Sequence, residues 1–223
     1  MEIVSYIVTV LGAYLLGSIP TGYLVARARG VDIRASGSGN IGATNVFRVL
    51  GKPAGILVLL VDGLKGYAAC TVLVDLVIRA GLGGPHPAED LHRNLSLAGG
   101  ITAILGHNYT CWLKFKGGKG VATTAAVLAG WTLPGFFISL LTWLVVAGIS
   151  RYVSLASMAA AVSLAFSAWF TETSWHTKKD LPLTIVCAAL GVLAIYKHKA
   201  NIRRLLNGTE SRMGAKKKTE EPK

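Results

Sequence analysis

Long apolar blocks alternate with short polar segments rich in glycine, lysine and arginine along the whole chain. The blocks cover residues 3 to about 28, 54–79, 95–112, 155–170 and 181–196, with a longer one over 121–149. About 20 apolar residues in helical conformation cross a hydrocarbon layer of about 30 Å. Only helices or closed barrels satisfy every backbone group there, and blocks this long read as helices. The pattern predicts an all-α integral membrane protein. The 121–149 block is long for one crossing and short for two. Trp131-Thr132-Leu133-Pro134-Gly135 breaks it, so a hairpin is expected, with 121–131 leading out and 135–149 leading back. The count is seven crossings, or five on a sparser reading, and either places the N-terminus outside and the C-terminus in the cytoplasm.

Within the first block, Gly12, Gly17, Ser18 and Gly22 permit close helix packing, and Pro20 predicts a kink near its far end. The second block carries Asp62 and Lys65, spaced i,i+3 at a depth where charges face a polar interior or each other. A structural ion pair and a direct catalytic role both remain open for them. Residues 1–210 read as one polytopic domain, and 211–223, with Lys216-Lys217-Lys218, as a basic disordered cytoplasmic tail. No internal repeat is evident, which gives little support to an inverted-repeat transporter.

Composition agrees with this picture. Of 223 residues, 52% are hydrophobic and 15% charged, and mean hydropathy is +0.51. The net charge of +12 would suggest nucleic acid in a soluble protein. Here the basic residues sit at block ends, as the positive-inside rule requires of cytoplasmic loops, and no nucleic-acid-binding motif is present. Met1-Glu2 lacks a basic n-region, and Arg27, Arg29 and Arg34 follow the first block, so a retained first span is expected rather than a cleaved signal. Cys70, Cys111 and Cys187 lie far apart in apolar context and read as buried small side chains.

With this topology four polar segments meet at the cytoplasmic leaflet. The first, Ser36 to Gly51, contains Ser38, Gly39, Asn40, Gly42, Thr44, Asn45 and Arg48. Its glycines suit close ligand approach, and a helix is expected from about Asn40 to the Gly51 stop. Backbone N–H groups, a helix start and Arg48 together describe an anion site. The second runs from His107 through Lys116, Gly117, Gly118 and Lys119 to Gly120. It is not a P-loop, because Gly120 stands where Ser or Thr must follow the lysine. The third is Ser154, and the fourth the basic run with Lys197, His198, Asn201 and Arg203. Positive-inside bias accounts for the cations but not for Ser38, Asn40, Thr44, Asn45 and Asn201. His107 and His198 are candidates for a base or a phosphate donor. No aspartate cluster is present to hold a metal, so no metal and no cofactor are expected. A phosphate site beside apolar spans suggests lipid chemistry, and physical reasoning alone leaves an acyltransferase and a phosphate or phospholipid transporter both open.

Three stretches in register resemble the motifs of one family. They are Ser38–Asn45 with Arg48, Asp62 and Lys65-Gly66; Gly106-His107-Asn108 through Phe115–Thr123; and Lys197–Leu205 with Gly208 and Glu210. Gly17-Ser18-Ile19-Pro20 also fits. The family is the bacterial acyl-phosphate:glycerol-3-phosphate acyltransferases (PlsY), and the likeness covers residues 3 to about 210. It implies acyl transfer from acyl phosphate to the 1-hydroxyl of glycerol 3-phosphate, giving lysophosphatidic acid and phosphate, in a bacterial inner membrane with the site facing the cytoplasm. It further implies that Ser38, Thr44, Asn45, Arg48, Lys119, Ser154, His198 and Asn201 carry the reaction. Gly39, Asn40, Gly42, His107, Lys116, Gly117, Gly118 and Arg203 would help to bind the substrates. Loop amides over 38–42 would hold the donor phosphate, and the proton is expected on a substrate phosphate, since no carboxylate–histidine pair is evident. The His-x4-Asp pattern of soluble-type glycerolipid acyltransferases is absent, as no histidine has aspartate five positions on. A monomer is expected to suffice.

Overall fold

The computed structural model describes residues 1–84, 88, 90–170 and 181–214. Among them every regular element is helical. The first block forms α1 (Glu2–Ser18) and α2 (Thr21–Arg27), separated at Ile19-Pro20 as the proline dictates. A polar loop then leads to α3 (Ala43–Leu50), closed by Gly51 at φ 86°. The second block forms α4 (Lys52–Cys70) and α5 (Val72–Arg79). The break at Thr71 was not legible in its apolar run. There Thr71 Oγ1 donates back to the Tyr67 carbonyl at 2.7 Å, and Ser96 Oγ takes the Cys70 carbonyl at 2.6 Å.

After α5 come α6 (Leu91–Asn108), α7 (Val121–Trp131), α8 (Leu133–Ser150), α9 (Val153–Phe170), α10 (Leu181–Lys197) and α11 (Lys199–Leu206). The hairpin break expected at 131–135 is present, but α8 starts at Leu133 rather than Gly135. Thr132 caps it, accepting from the Gly135 amide at 3.3 Å, and Pro134 is tolerated in the first turn, where its missing N–H has no helical partner.

Among the described residues four helical stretches are long and apolar enough to cross a membrane: α1 with α2, α4 with α5, α8 and α9. A fifth is added if α10 and α11, bent 55° apart, count together. Of the seven expected crossings, 95–112 is represented by α6, which is less apolar, and 121–131 by α7, which is short. The outer loop expected at 171–180 and the tail from 215 lie outside the described residues. Ser211 to Gly214, expected as the start of a loose tail, are instead tied back. Met213 N–H donates to the Arg151 carbonyl at 2.7 Å, the Arg151 guanidinium donates to the Met213 carbonyl at 2.9 Å, and Arg212 Nε donates to Tyr152 Oη at 3.0 Å.

The bundle packs α1 on α6, α4 on α7, and α8–α9–α10 in series. The α1–α6 crossing is close because Gly17 faces the Ala103 backbone and Gly106 faces that of Ser18. Leu11, Leu60, Leu64, Leu141 and Ile149 point outward, as a hydrocarbon surrounding requires, while Ser5, Thr9 and Ser18 are buried. The Asp62–Lys65 pair is a buried brace. The two side chains meet at 2.8 Å, and Lys65 Nζ also donates to the Ile19 carbonyl at the α1–α2 break, at 2.8 Å.

Candidate functional site

The loop over 28–42 is shaped by one side chain from the helix that follows it. Asn45 is buried, its Oδ1 accepts from the Ser38 amide at 2.8 Å, and its Nδ2 donates to the carbonyls of Ile33, Ser36 and Asn40 at 3.3, 2.9 and 2.9 Å. Gly37 and Gly39 take φ of 61° and 71° to allow this wrap. Asn45, expected to touch substrate, therefore spends its hydrogen-bonding capacity on the loop. The expected cradle of loop amides also changes. Ser38 N–H is taken by Asn45, Gly39 N–H by the Ser36 carbonyl, and Gly42 N–H by Asn40 Oδ1 at 2.8 Å. The N–H groups without a helical partner are those of the first turn of α3, at Ala43 and Thr44, and both residues line the cavity described below.

The second glycine-lysine segment lies beneath this loop. Gly118 N–H donates to the His107 carbonyl at 3.0 Å and Gly117 N–H to the Asn108 carbonyl at 3.2 Å. The His107 ring lies so close to Gly118 that a Cβ there would overlap its Nε2. Lys114 and Phe115 adopt left-handed φ of 54° and 60°, which turns the chain back. Lys116 is left exposed outside the cavity, and Lys119 lines it. Gly117 and Gly118 act by letting this backbone lie against α6, and neither lines the cavity.

The third and fourth segments meet at Glu210. Its Oε1 accepts from Ser154 Oγ and from Asn201 Nδ2, both at 2.7 Å, and its Oε2 from Arg204 Nε at 2.6 Å. Asn201 Oδ1 in turn accepts from Lys119 Nζ. Burial pushes the Glu210 carboxyl up, but hydrogen bonds from Asn201, Ser154 and Arg204 outweigh it and hold the group below the usual carboxylate range. Burial pushes Lys119 down to about 8, with Glu210 opposing and Arg204, Arg48 and Lys197 adding to the fall. His198, just past the end of α10, is buried, and burial followed by the Lys119 charge brings it to about 4. Its Nδ1 lies 2.8 Å from the Ala194 carbonyl, which can only accept. Nδ1 therefore carries the proton, and Nε2 keeps a lone pair.

These elements enclose a cavity of about 330 Å³ with two unlike ends. Its polar end has Ser38, Asn40, Thr44, Arg48, Lys119, Ser154, His198, Asn201 and Glu210. Its other end is apolar, lined from α7, α8, α9 and α10 by residues such as Leu128, Leu140, Leu164 and Leu190. A smaller recess of about 160 Å³ adjoins the polar end, with Lys119, Lys197 and Arg204 around Ser38, Gly39 and Asn40. Arg204, not the expected Arg203, faces this site, and Arg203 is exposed.

The structure also corrects the expectation that no carboxylate–histidine pair exists. His107 Nδ1 lies 3.6 Å from Asp62 Oδ1, both side chains are buried, and both residues line the cavity. Glu210, Asp62, Arg204 and Lys197 were given no role by the resemblance, although all four stand within its motifs; Glu210 is also the only carboxylate between Asp180 and Glu220 and thus alone amid cations.

Comparison with known proteins gives the site its context. The family model described as glycerol-3-phosphate acyltransferase matches residues 7–208. A glycerol-3-phosphate acyltransferase of Geotalea daltonii is 45% identical, covering 93% of this chain and 97% of its own. One of Geobacillus kaustophilus is 43% identical over 90% and 92%. Two solved structures share the fold, both described as PlsY (YgiH), an integral membrane glycerol 3-phosphate acyltransferase. The glycerol 3-phosphate form aligns with TM-score 0.80 and 38% identity, and the lysophosphatidic acid form with 0.77 and 37%, each over 94% of this chain and 96% of its own. This chain belongs to the PlsY family of integral membrane glycerol-3-phosphate acyltransferases.

Proposed function

We propose that the protein transfers a fatty acyl group from acyl phosphate to the 1-hydroxyl of glycerol 3-phosphate, forming lysophosphatidic acid and phosphate. The observation that carries this reading is the single cavity with a cationic, amide-rich end and an apolar arm. Such a space suits a donor that is itself half phosphate and half alkyl chain. The relatives' names supply the acceptor, and the structures of the glycerol 3-phosphate and lysophosphatidic acid forms support acceptor and product in the same fold.

In this reading the donor phosphate rests on the first-turn amides of α3 and on Thr44, with its alkyl chain along α7–α10. Arg48 and Lys119 hold the acceptor phosphate. His198 Nε2, too weak a base to keep a proton near neutrality, accepts a hydrogen bond from the attacking hydroxyl and orients it. The hydroxyl oxygen bonds to the acyl carbon, the carbon–oxygen bond to phosphate breaks, and the hydroxyl proton leaves on the departing phosphate. Mixed anhydrides have a good leaving group, so no protein nucleophile is required. Asp62 and His107 brace the floor beneath Gly118, with Asp62 already engaged by Lys65.

Seven crossings, with α6 and α7 among them, put both termini and the site where the resemblance requires. The N-terminus is then outside a bacterial inner membrane, and the polar end of the cavity opens to the cytoplasm. Purified protein supplied in parallel with acyl phosphate, acyl-CoA and acyl carrier protein, each with glycerol 3-phosphate, tests the donor. Turnover with acyl phosphate alone is expected. Turnover confined to acyl-CoA contradicts the reading, and transport of phosphate into liposomes without product favours the transporter alternative.

A further inference from the structure

The apolar arm of the cavity does not run the full depth of the bundle. Leu128, Leu164 and Leu190 line it, and the same three side chains belong to a packed cluster with Trp131, Ala168, Leu183 and Cys187. Those last four are between 0% and 1% exposed and do not reach the cavity. Trp131 is fixed in the cluster, since its Nε1 donates to the Ser96 carbonyl at 3.3 Å and its ring fills the space beside Gly100. Phe136 both lines the arm and packs on this cluster. The Ser163 hydroxyl donates to the Ala160 carbonyl at 2.9 Å and accepts from Ser139 Oγ at 3.3 Å, which sets the register of α8 against α9. That register puts Phe136 almost one turn beyond Ser139, level with residues 165–166 of α9 and within one turn of Leu164.

We infer that Phe136 and Leu164, backed by the Trp131 cluster, form a stop that sets the length of the acyl chain the enzyme accepts. The inference rests on the acyl-phosphate reading above. Ser154, at the polar end, and Leu164 are ten residues apart on α9, which is about 15 Å of helix. An all-trans alkyl chain advances about 1.25 Å per carbon–carbon bond, close to the roughly 1.1–1.2 Å per bond of an extended peptide backbone, so this depth takes roughly a dozen carbon–carbon bonds. A chain of about 14 carbons fills the arm, and a longer one must bend or leave between helices. Ala160 lies midway along the same wall, six residues from Ser154, and a larger side chain there halves the depth.

The test is the dependence of kcat/KM on acyl phosphate chain length, from 8 to 20 carbons, for the full chain in detergent or vesicles. Phe136→Ala is expected to move the optimum at least two carbons longer, and Ala160→Phe at least two carbons shorter. The two variants alter the arm in opposite senses, so one folded variant is enough. An optimum left where the unmodified protein has it, or a flat profile in the unmodified protein, overturns the stop. No turnover of any acyl phosphate by the unmodified protein, with turnover of another donor, refutes the donor reading instead.

Discussion

Ser154 and Glu210 are 56 residues apart in the chain, and the Ser154 hydroxyl donates to the Glu210 carboxylate at 2.7 Å. Through that carboxylate the start of α9 is joined to α11, and through Asn201 to Lys119 in the loop before α7. The cationic end of the cavity is thus assembled on one buried acid. Removing one partner of a buried charged network costs about 3–5 kcal/mol, because the remaining groups stay buried without it. Glu210→Ala should abolish turnover and lower the apparent melting temperature by roughly 6–20 °C, read by thermal unfolding in detergent. Glu210→Gln, which can still accept from Ser154, should lose less of both.

Lys119, proposed to hold the acceptor phosphate, should give turnover a pH limit. Its ammonium ordinarily persists to pH 10 and above, but burial lowers it to about 8. A lowered lysine pKa means the charge is present below that pH and lost as pH rises through it. The kcat/KM for glycerol 3-phosphate should therefore fall above about pH 8. In Lys119→Arg the guanidinium keeps its charge throughout this range, so the alkaline limb should disappear even if the maximal rate is reduced. A pH–rate profile of both proteins decides this.

Asn45 should act through the loop and not through direct contact. Asn45→Ala removes four hydrogen bonds and leaves the Ser38 amide unpaired, at a cost of about 2–4 kcal/mol to the ordered loop. Activity should fall more than tenfold, and trypsin should cut at Arg34 much faster than in the unmodified protein. Loss of activity with unchanged proteolysis would assign Asn45 to the substrate instead.

Neighbouring cations should separate sharply. Arg48→Ala and Lys119→Ala should each lower kcat/KM by roughly 10- to 100-fold, the range for a charge-assisted hydrogen bond. Lys116→Ala and Arg203→Ala, both at exposed positions, should stay within about twofold. Asp75 pairs with His92 at 2.9 Å at the opposite end of the bundle, so Asp75→Ala should also leave turnover nearly unchanged.

The helices were legible because hydrocarbon imposes a length and a polarity that sequence displays directly. The kink at Pro20 and the restart after Trp131 were legible because proline has a local, context-free effect. The break at Thr71 was not, since it depends on Ser96 from another helix donating to the freed Cys70 carbonyl. The same holds for the site. Residues such as Arg48, Ser154, His198 and Asn201 stand out in their own segments. The Asp62–His107 approach joins residues on different helices, and no local spacing announces it. Arg204 was displaced by Arg203 in the expectation because one residue is about 100° around a helix, and the 55° bend before α11 fixes which side faces Lys119. Which of Lys116 and Lys119 lines the cavity could not be told until the left-handed turn at Lys114-Phe115 was known.

The most direct measurement of the central claim is a stoichiometry. Purified protein is mixed with acyl phosphate and glycerol 3-phosphate, without coenzyme A or added metal, and lysophosphatidic acid and inorganic phosphate are quantified together. The account predicts both products in a one-to-one ratio and neither when glycerol 3-phosphate is withheld. Phosphate released without lysophosphatidic acid, or no reaction until acyl-CoA is supplied, would contradict it.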